Sequence, residues 1–288
     1  MAAVPPVSTP PLSPLTQQTP PFDVFPIEES KDAVLEELHY VLCNEEGQGE
    51  TLLNLPESRK NGVHLGFACW MNFDILAKQN TPFAVLCDCN ENMIALLDLI
   101  KSTVLDSNSP AAFIENFWQK LSQNPSLNFD GLLGIHGSLD KSGFSRLTEA
   151  GGWLSSRDSF QVIQDMYKKN RILHRSLNIS DQDAFTKLKT WATRHNLVFD
   201  TIYTSNIAEW LHHSRGAVDI MVDNINQLTD PKTSIVSAQK KTGEVKKEIP
   251  EQTLNTGSHP TLKYTRPPPA QQARTNQAGP PPPPLAFC

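Results

Sequence analysis

No run of 18 apolar residues occurs in this 288-residue chain, which argues against a membrane-spanning helix. The amino end lacks a basic stretch leading into an apolar core, so no secretory signal is expected. Cysteine is scarce: the five residues at 43, 69, 87, 89 and 288 form no regular framework for disulfides. Cys87 and Cys89 have no second Cys or His pair at zinc spacing, and His212 and His213 are adjacent rather than four apart, so no metal is expected. Walker A, GxGxxG, GxSxG and HExxH patterns are all missing. That removes phosphate-loop chemistry, a dinucleotide fingerprint, a serine-hydrolase elbow and a zinc-protease helix. A cytoplasmic location is the expectation from these absences.

Basic charge is also short over most of the chain. Residues 231–288 carry eight Lys or Arg against three Glu, whereas the remainder carries 17 against 28 acids. An acidic body does not suit broad docking to nucleic-acid phosphates. Proline is concentrated at the ends: residues 1–26 hold eight, and residues 241–288 are again polar and proline-rich. Such segments bury too little apolar surface to offset backbone ordering. The composition therefore predicts a disordered proline-rich segment over 1–26, one body over 27–240 and a disordered basic, proline-rich tail over 241–288.

Within the body, residues 28–43 have apolar residues at helical spacing. Residues 44–61 are mixed and turn-like. Strands are expected at 62–67, 83–87, 171–177, 197–203 and 233–238. Helices are expected at 72–79, 91–104, 110–121, 156–169 and 207–213, and another runs from the Ser180–Asp183 capping box to His195. Residues 122–154 read as a glycine-rich insertion, and 214–232 carry no assigned element. Strands alternating with helices of this length predict an α/β fold, a mostly parallel Rossmann-like sheet with helices on both faces.

The most informative stretch is GVHLGFACWMNFDILAKQNTPFAVLCDCNE over 62–91, a strand, a glycine turn, a helix and a second strand ending on an acid. This is the first half of a nucleotide- or nucleoside-binding unit. Gly62 and Gly66 either let the backbone approach a cofactor or form an ordinary strand-end turn. Asp88 stands where ribose hydroxyls are often held, with Glu91 or Asn90 available to complete the pocket; its structural alternative is a cap for the following helix. Tyr203 and Asn206 close a later strand and can border a substrate or stack on a base, or else serve core and turn. Arg157 suits a carboxylate or a helix-start ion pair. His136, between Gly134 and Gly137, is the candidate general base. S-adenosylmethionine is the nearest cofactor chemistry; an NAD-linked oxidoreductase lacks both its glycine pattern and an acid/base pair.

Three stretches carry a family resemblance: WLSSRDSF at 153–160, NRIL at 170–173 and FDTIYTSNIAEWL at 199–211. With Gly66, Asn72, Phe73 and Asp88 they make residues 60–240 similar to a bacterial methyltransferase-like domain family of uncertain function. The resemblance implies a class I fold and S-adenosylmethionine binding, with an unknown protein or small-molecule acceptor. The chain departs from the family in HRSLNI at 174–179 and in the bulky FACW at 67–70. Those departures retune the substrate site or mark a scaffold without catalysis, an inactive Rossmann-like interaction protein.

Five consecutive prolines at 280–284 favour an extended left-handed helix. That shape suits the aromatic grooves of profilin, SH3, WW or EVH1 modules, or else serves as a spacer. On a bacterial chain, such a tail resembles those of effectors secreted into a host cell by a non-classical system.

Overall fold

Two apolar hexapeptides, GVHLGF and FAVLCD, form neighbouring parallel strands β1 (Gly62–Phe67) and β2 (Phe83–Asp88). Every residue of both is buried, as a sheet covered on its two faces requires. Helix α2 (Trp70–Gln79) links them. The computed structural model describes residues 22, 25–27, 45–68, 70–124, 151–211, 216–239, 250–256 and 260–264. The helix expected over 28–43 and most of the 122–154 insertion lie outside these residues.

After β2 come α3 (Glu91–Asp106), α4 (Pro110–Ser122) and α5 (Arg157–Lys168), leading to β3 (Ile172–Ser176). Next are α6 (Gln182–Arg194) and β4 (Val198–Ser205), then α7 (Ile207–Leu211), α8 (Ala217–Asn226) and β5 (Ser234–Gln239). Side-chain caps set the helix starts: Asn90 accepts from Asn92 N, Ser109 from Ala112 N and Ser156 from Ser159 N. Helix α6 begins one residue later than its sequence suggests. Its cap is Asp181, which accepts from Ala184 N at 3.0 Å, while Ser180 uses its own N–H on Asn178 Oδ1 at 2.8 Å.

The strand order is β3-β2-β1-β4-β5-β6, where β6 spans Glu251–Asn255, and β1 to β5 are parallel. This is the doubly wound arrangement, an α/β Rossmann-like sheet. Helices α2 to α5 cover one face through Phe73, Leu96, Phe113 and Phe160, joined by Trp153 from the turn before α5. The opposite face packs Val63, Leu65, Val85 and Ile202 against α6 and α8. On β3, His174 ties the strand to the first face: Nδ1 meets Asp98 Oδ1 at 2.8 Å and Nε2 meets the Tyr167 hydroxyl at 3.1 Å. Burial lowers the His174 pKa, and the bond from His174 lowers that of Asp98.

Three elements lie where none is expected. Helix α1 (Gln48–Asn54) precedes β1, α8 occupies the unassigned stretch after α7, and β6 (Glu251–Asn255) runs antiparallel to β5. The body therefore continues past 240. Beyond β6, Leu262 is buried and its N–H donates to Asn226 Oδ1 at 2.7 Å. At the other end Phe22 stacks on Trp191 with ring centroids 6.2 Å apart, and Phe25 meets the same indole edge-on at 5.1 Å. Ordered packing thus reaches into both segments that composition alone marks as tails.

Candidate functional site

The sheet order reverses between β1 and β4, where open α/β sheets bind ligands beyond the carboxyl ends of their strands. The last residues there are Phe67, Asp88, Ser176 and Ser205.

Asp88 closes β2 and is 8 % exposed. Its Oδ1 accepts from Asn90 N at 2.9 Å, and Asn90 in turn caps α3. The capping role open to Asp88 thus belongs to Asn90, and the aspartate remains a strand-end carboxylate. Its register partner on β3 is Ser176, a buried residue whose hydroxyl has no hydrogen-bond partner among the described residues. A buried hydroxyl left unmatched at a ligand-binding edge is a donor and acceptor in waiting. Glu91 is exposed on the first turn of α3.

The two glycines do other work. Gly62 starts β1, at the edge of the sheet away from the carboxyl ends. A Cβ there would lie 1.7 Å from Asp200 Oδ2, so the glycine makes room for that carboxylate, which binds Ser58 and Arg59. Gly66 faces Asn72, whose Oδ1 a Cβ would meet at 1.7 Å. Asn72 donates to the carbonyls of Phe67 at 3.0 Å and Ala68 at 3.1 Å, closing the β1–α2 turn. Its Oδ1 therefore accepts from His64 Nε2–H at 2.9 Å, and burial lowers the His64 pKa to about 4. The space beside Gly66 is filled by an amide rather than left for a cofactor. The turn itself is glycine-free, with Ala68 in the left-handed region at φ 64°.

At the end of β4, Tyr203 is 1 % exposed and packs with Met71, Ile75 and Val236. That burial rules out the stacking role open to it from sequence. Its hydroxyl donates to the carboxylate of Glu45, 3.2 Å from either oxygen. Ser205 also donates to Glu45, and Gln252 Nε2 donates to Glu45 Oε2 at 2.6 Å. The Ser205 hydroxyl lies 3.2 Å from Asn206 Oδ1, which places Asn206 beside the cluster. Glu45 has no sequence motif. It arrives because Glu46 pairs with Pro250 and Gln252 through backbone hydrogen bonds of 2.9 Å each.

Arg157 is not at this edge of the sheet. It is exposed and lines a depression of about 530 Å³ with Asp106, Asn116, Gln161 and Lys168, all residues of the outer helices. His136 lies outside the described residues. Among the described residues no cluster of metal-ligating side chains occurs, and no helix is long and apolar enough to cross a membrane.

Two solved structures of the rRNA methyltransferase aviRa from Streptomyces viridochromogenes are similar to the chain at 12 % and 13 % identity. Each match covers 69 % of this chain and 74 % of that one, with a TM-score of 0.34. The strand order, not this likeness, defines the fold. No curated protein matches the chain. Residues 40–129 and 136–266 match the family described as "Domain of unknown function (DUF7790)", and the chain belongs to that family.

Proposed function

We propose that the chain is a methyltransferase-like protein that binds S-adenosylmethionine across the carboxyl ends of β2, β1 and β4, with an acceptor yet to be identified. The observation carrying this reading is the Asp88–Ser176 pair. A carboxylate and a buried hydroxyl unmatched among the described residues end the adjacent strands β2 and β3, on the β1 side of the reversal of the sheet. That donor set fits an adenosine: Asp88 accepts from ribose hydroxyls, and Ser176 offers one polar contact nearby. On this reading Asn206, which follows the last residue of β4, borders the acceptor. The cofactor supplies an electrophilic methyl group when bound, so the residues of the chain need chiefly to align an acceptor with it. A base is required only for acceptors that lose a proton.

Calorimetric titration of the full chain with S-adenosylmethionine and S-adenosylhomocysteine tests the reading. Saturable binding weakened about 10- to 100-fold by Asp88→Ala, the usual worth of charge-assisted hydrogen bonds, supports it. A folded wild-type chain that binds neither compound removes it.

A second reading, a non-catalytic interaction protein, draws on the glycine-free β1–α2 turn and on the polyproline at 280–284, which lies outside the described residues. In it the tail recruits a profilin, SH3, WW or EVH1 module. Pull-down of a purified profilin by the full chain, lost when residues 280–284 are replaced, favours that role for the tail.

A further inference from the structure

The Glu45 carboxylate presents an imbalance of charge. The residue is 6 % exposed, and its hydrogen-bond partners are the neutral Tyr203, Ser205 and Gln252. Among the described residues no Lys, Arg or His forms an ion pair with it. Other buried acids of this chain are balanced differently. Asp200 holds the Arg59 guanidinium, and Asp74, which accepts a single backbone N–H from Trp153, has its pKa raised to about 7 by burial. Burying a charge without a counter-charge is expensive, and hydroxyl and amide donors offset only part of that cost.

Position gives the imbalance a direction. Ser205 is the last residue of β4, and Gln252 on β6 is paired with Ala238 near the end of β5. Glu45 therefore sits on the same edge of the sheet as Asp88. Strand β1 lies between β2 and β4, so the two carboxylates span the end of β1 from its two sides. One end of that span suits the hydroxyls of a ribose. The other holds an acid whose hydrogen-bond partners are all neutral.

We infer that Glu45 is the anionic partner of a positively charged ligand group bound at the end of β4. On the proposed reading, upon which this inference rests, that group is the sulfonium-bearing end of S-adenosylmethionine. Tyr203, Ser205 and Gln252 are positioning residues that hold the carboxylate toward it. Glu45 contributes selectivity for a cationic ligand over a neutral one, and it forms no covalent bond.

The test compares three ligands on the full chain by calorimetry: S-adenosylmethionine, S-adenosylhomocysteine without the sulfonium charge, and uncharged methylthioadenosine. Wild type is expected to bind them in that order of decreasing affinity. Glu45→Gln, similar in shape but neutral, is expected to weaken S-adenosylmethionine by about tenfold or more while leaving methylthioadenosine unchanged. A variant that keeps the wild-type preference overturns the inference alone. So does equal binding of all three ligands by wild type, a result that stands even if Glu45→Gln fails to fold. Binding of none of the three by folded wild type overturns the cofactor reading and this inference with it.

Discussion

Glu45 and Ser205, 160 residues apart, meet side chain to side chain at the carboxyl end of β4. The contact ties the segment before α1 to the centre of the sheet. Replacing Glu45 with alanine removes the carboxylate that accepts from the Tyr203 hydroxyl, the Ser205 hydroxyl and the Gln252 amide. A hydrogen bond to a charged acceptor is worth about 1.5–3 kcal/mol, so denaturant unfolding is expected to show a loss of about 3 kcal/mol or more. A loss under about 1 kcal/mol, the net worth of one ordinary hydrogen bond, contradicts a buried cluster.

Gly66 and Asn72 share one space. Gly66→Ala is expected to lower stability by about 1–3 kcal/mol, because the new methyl must displace a packed amide. Asn72→Ala in the same chain relieves the clash with the amide, leaving only the His64 Nε2 contact at 2.6 Å, but surrenders the bonds to Phe67, Ala68 and His64. The signature is therefore non-additivity: the double variant is more stable than the sum of the single losses predicts. Simple additivity in a denaturation cycle would show that the glycine is not making room for Asn72.

How far the chain could be read from its sequence depends on how local each determinant is. The strands β1 and β2, the caps Ser109 and Ser156 and the strand-end position of Asp88 follow from residues within one element. Helix α8 goes unassigned in the sequence although Val218, Met221, Val222 and Ile225 recur at helical spacing. Helix α1 is only seven residues long and offers too short a period. Strand β6 hides in a polar tail because pairing with β5, rather than apolar content, holds it. Glu45 acquires its meaning only from Tyr203, Ser205 and Gln252, which no local pattern connects to it. The glycines mislead because an amide or carboxylate, not a ligand, takes the space beside them.

Asp74 makes stability fall as pH rises. Burial raises its folded pKa from 3.8 to about 7, so the folded state holds a proton that the unfolded chain has released between those values. Its contribution is fully present below the unfolded pKa and is lost as pH climbs through about 7. Asp74→Asn should remove this dependence, becoming more stable relative to wild type at pH 8 than at pH 4 by on the order of 3 kcal/mol. Parallel stability-against-pH curves for the two proteins would show that Asp74 is not held in its protonated form.

A chain ending at 240 loses β6, the Gln252 bond to Glu45 and the buried Leu262. It also leaves β5 as an open edge. Its melting temperature is expected to fall by about 5 °C or more relative to a chain ending at 264. Equal melting temperatures would mean that the fold closes without its sixth strand.

Arg157 lines a depression among the outer helices rather than the strand ends. Arg157→Ala is therefore expected to leave S-adenosylmethionine affinity at the wild-type value in calorimetry. A large loss would place the cofactor on the helical face and contradict the proposed site.

Amide hydrogen exchange of the full chain, with and without saturating S-adenosylmethionine, tests the location of the site most directly. Slowed exchange is expected in peptides spanning 67–70, 88–91, 176–180 and 205–207, the ends of β1, β2, β3 and β4. Protection confined to α3, α4 and α5, or no protection by the ligand at all, would contradict it.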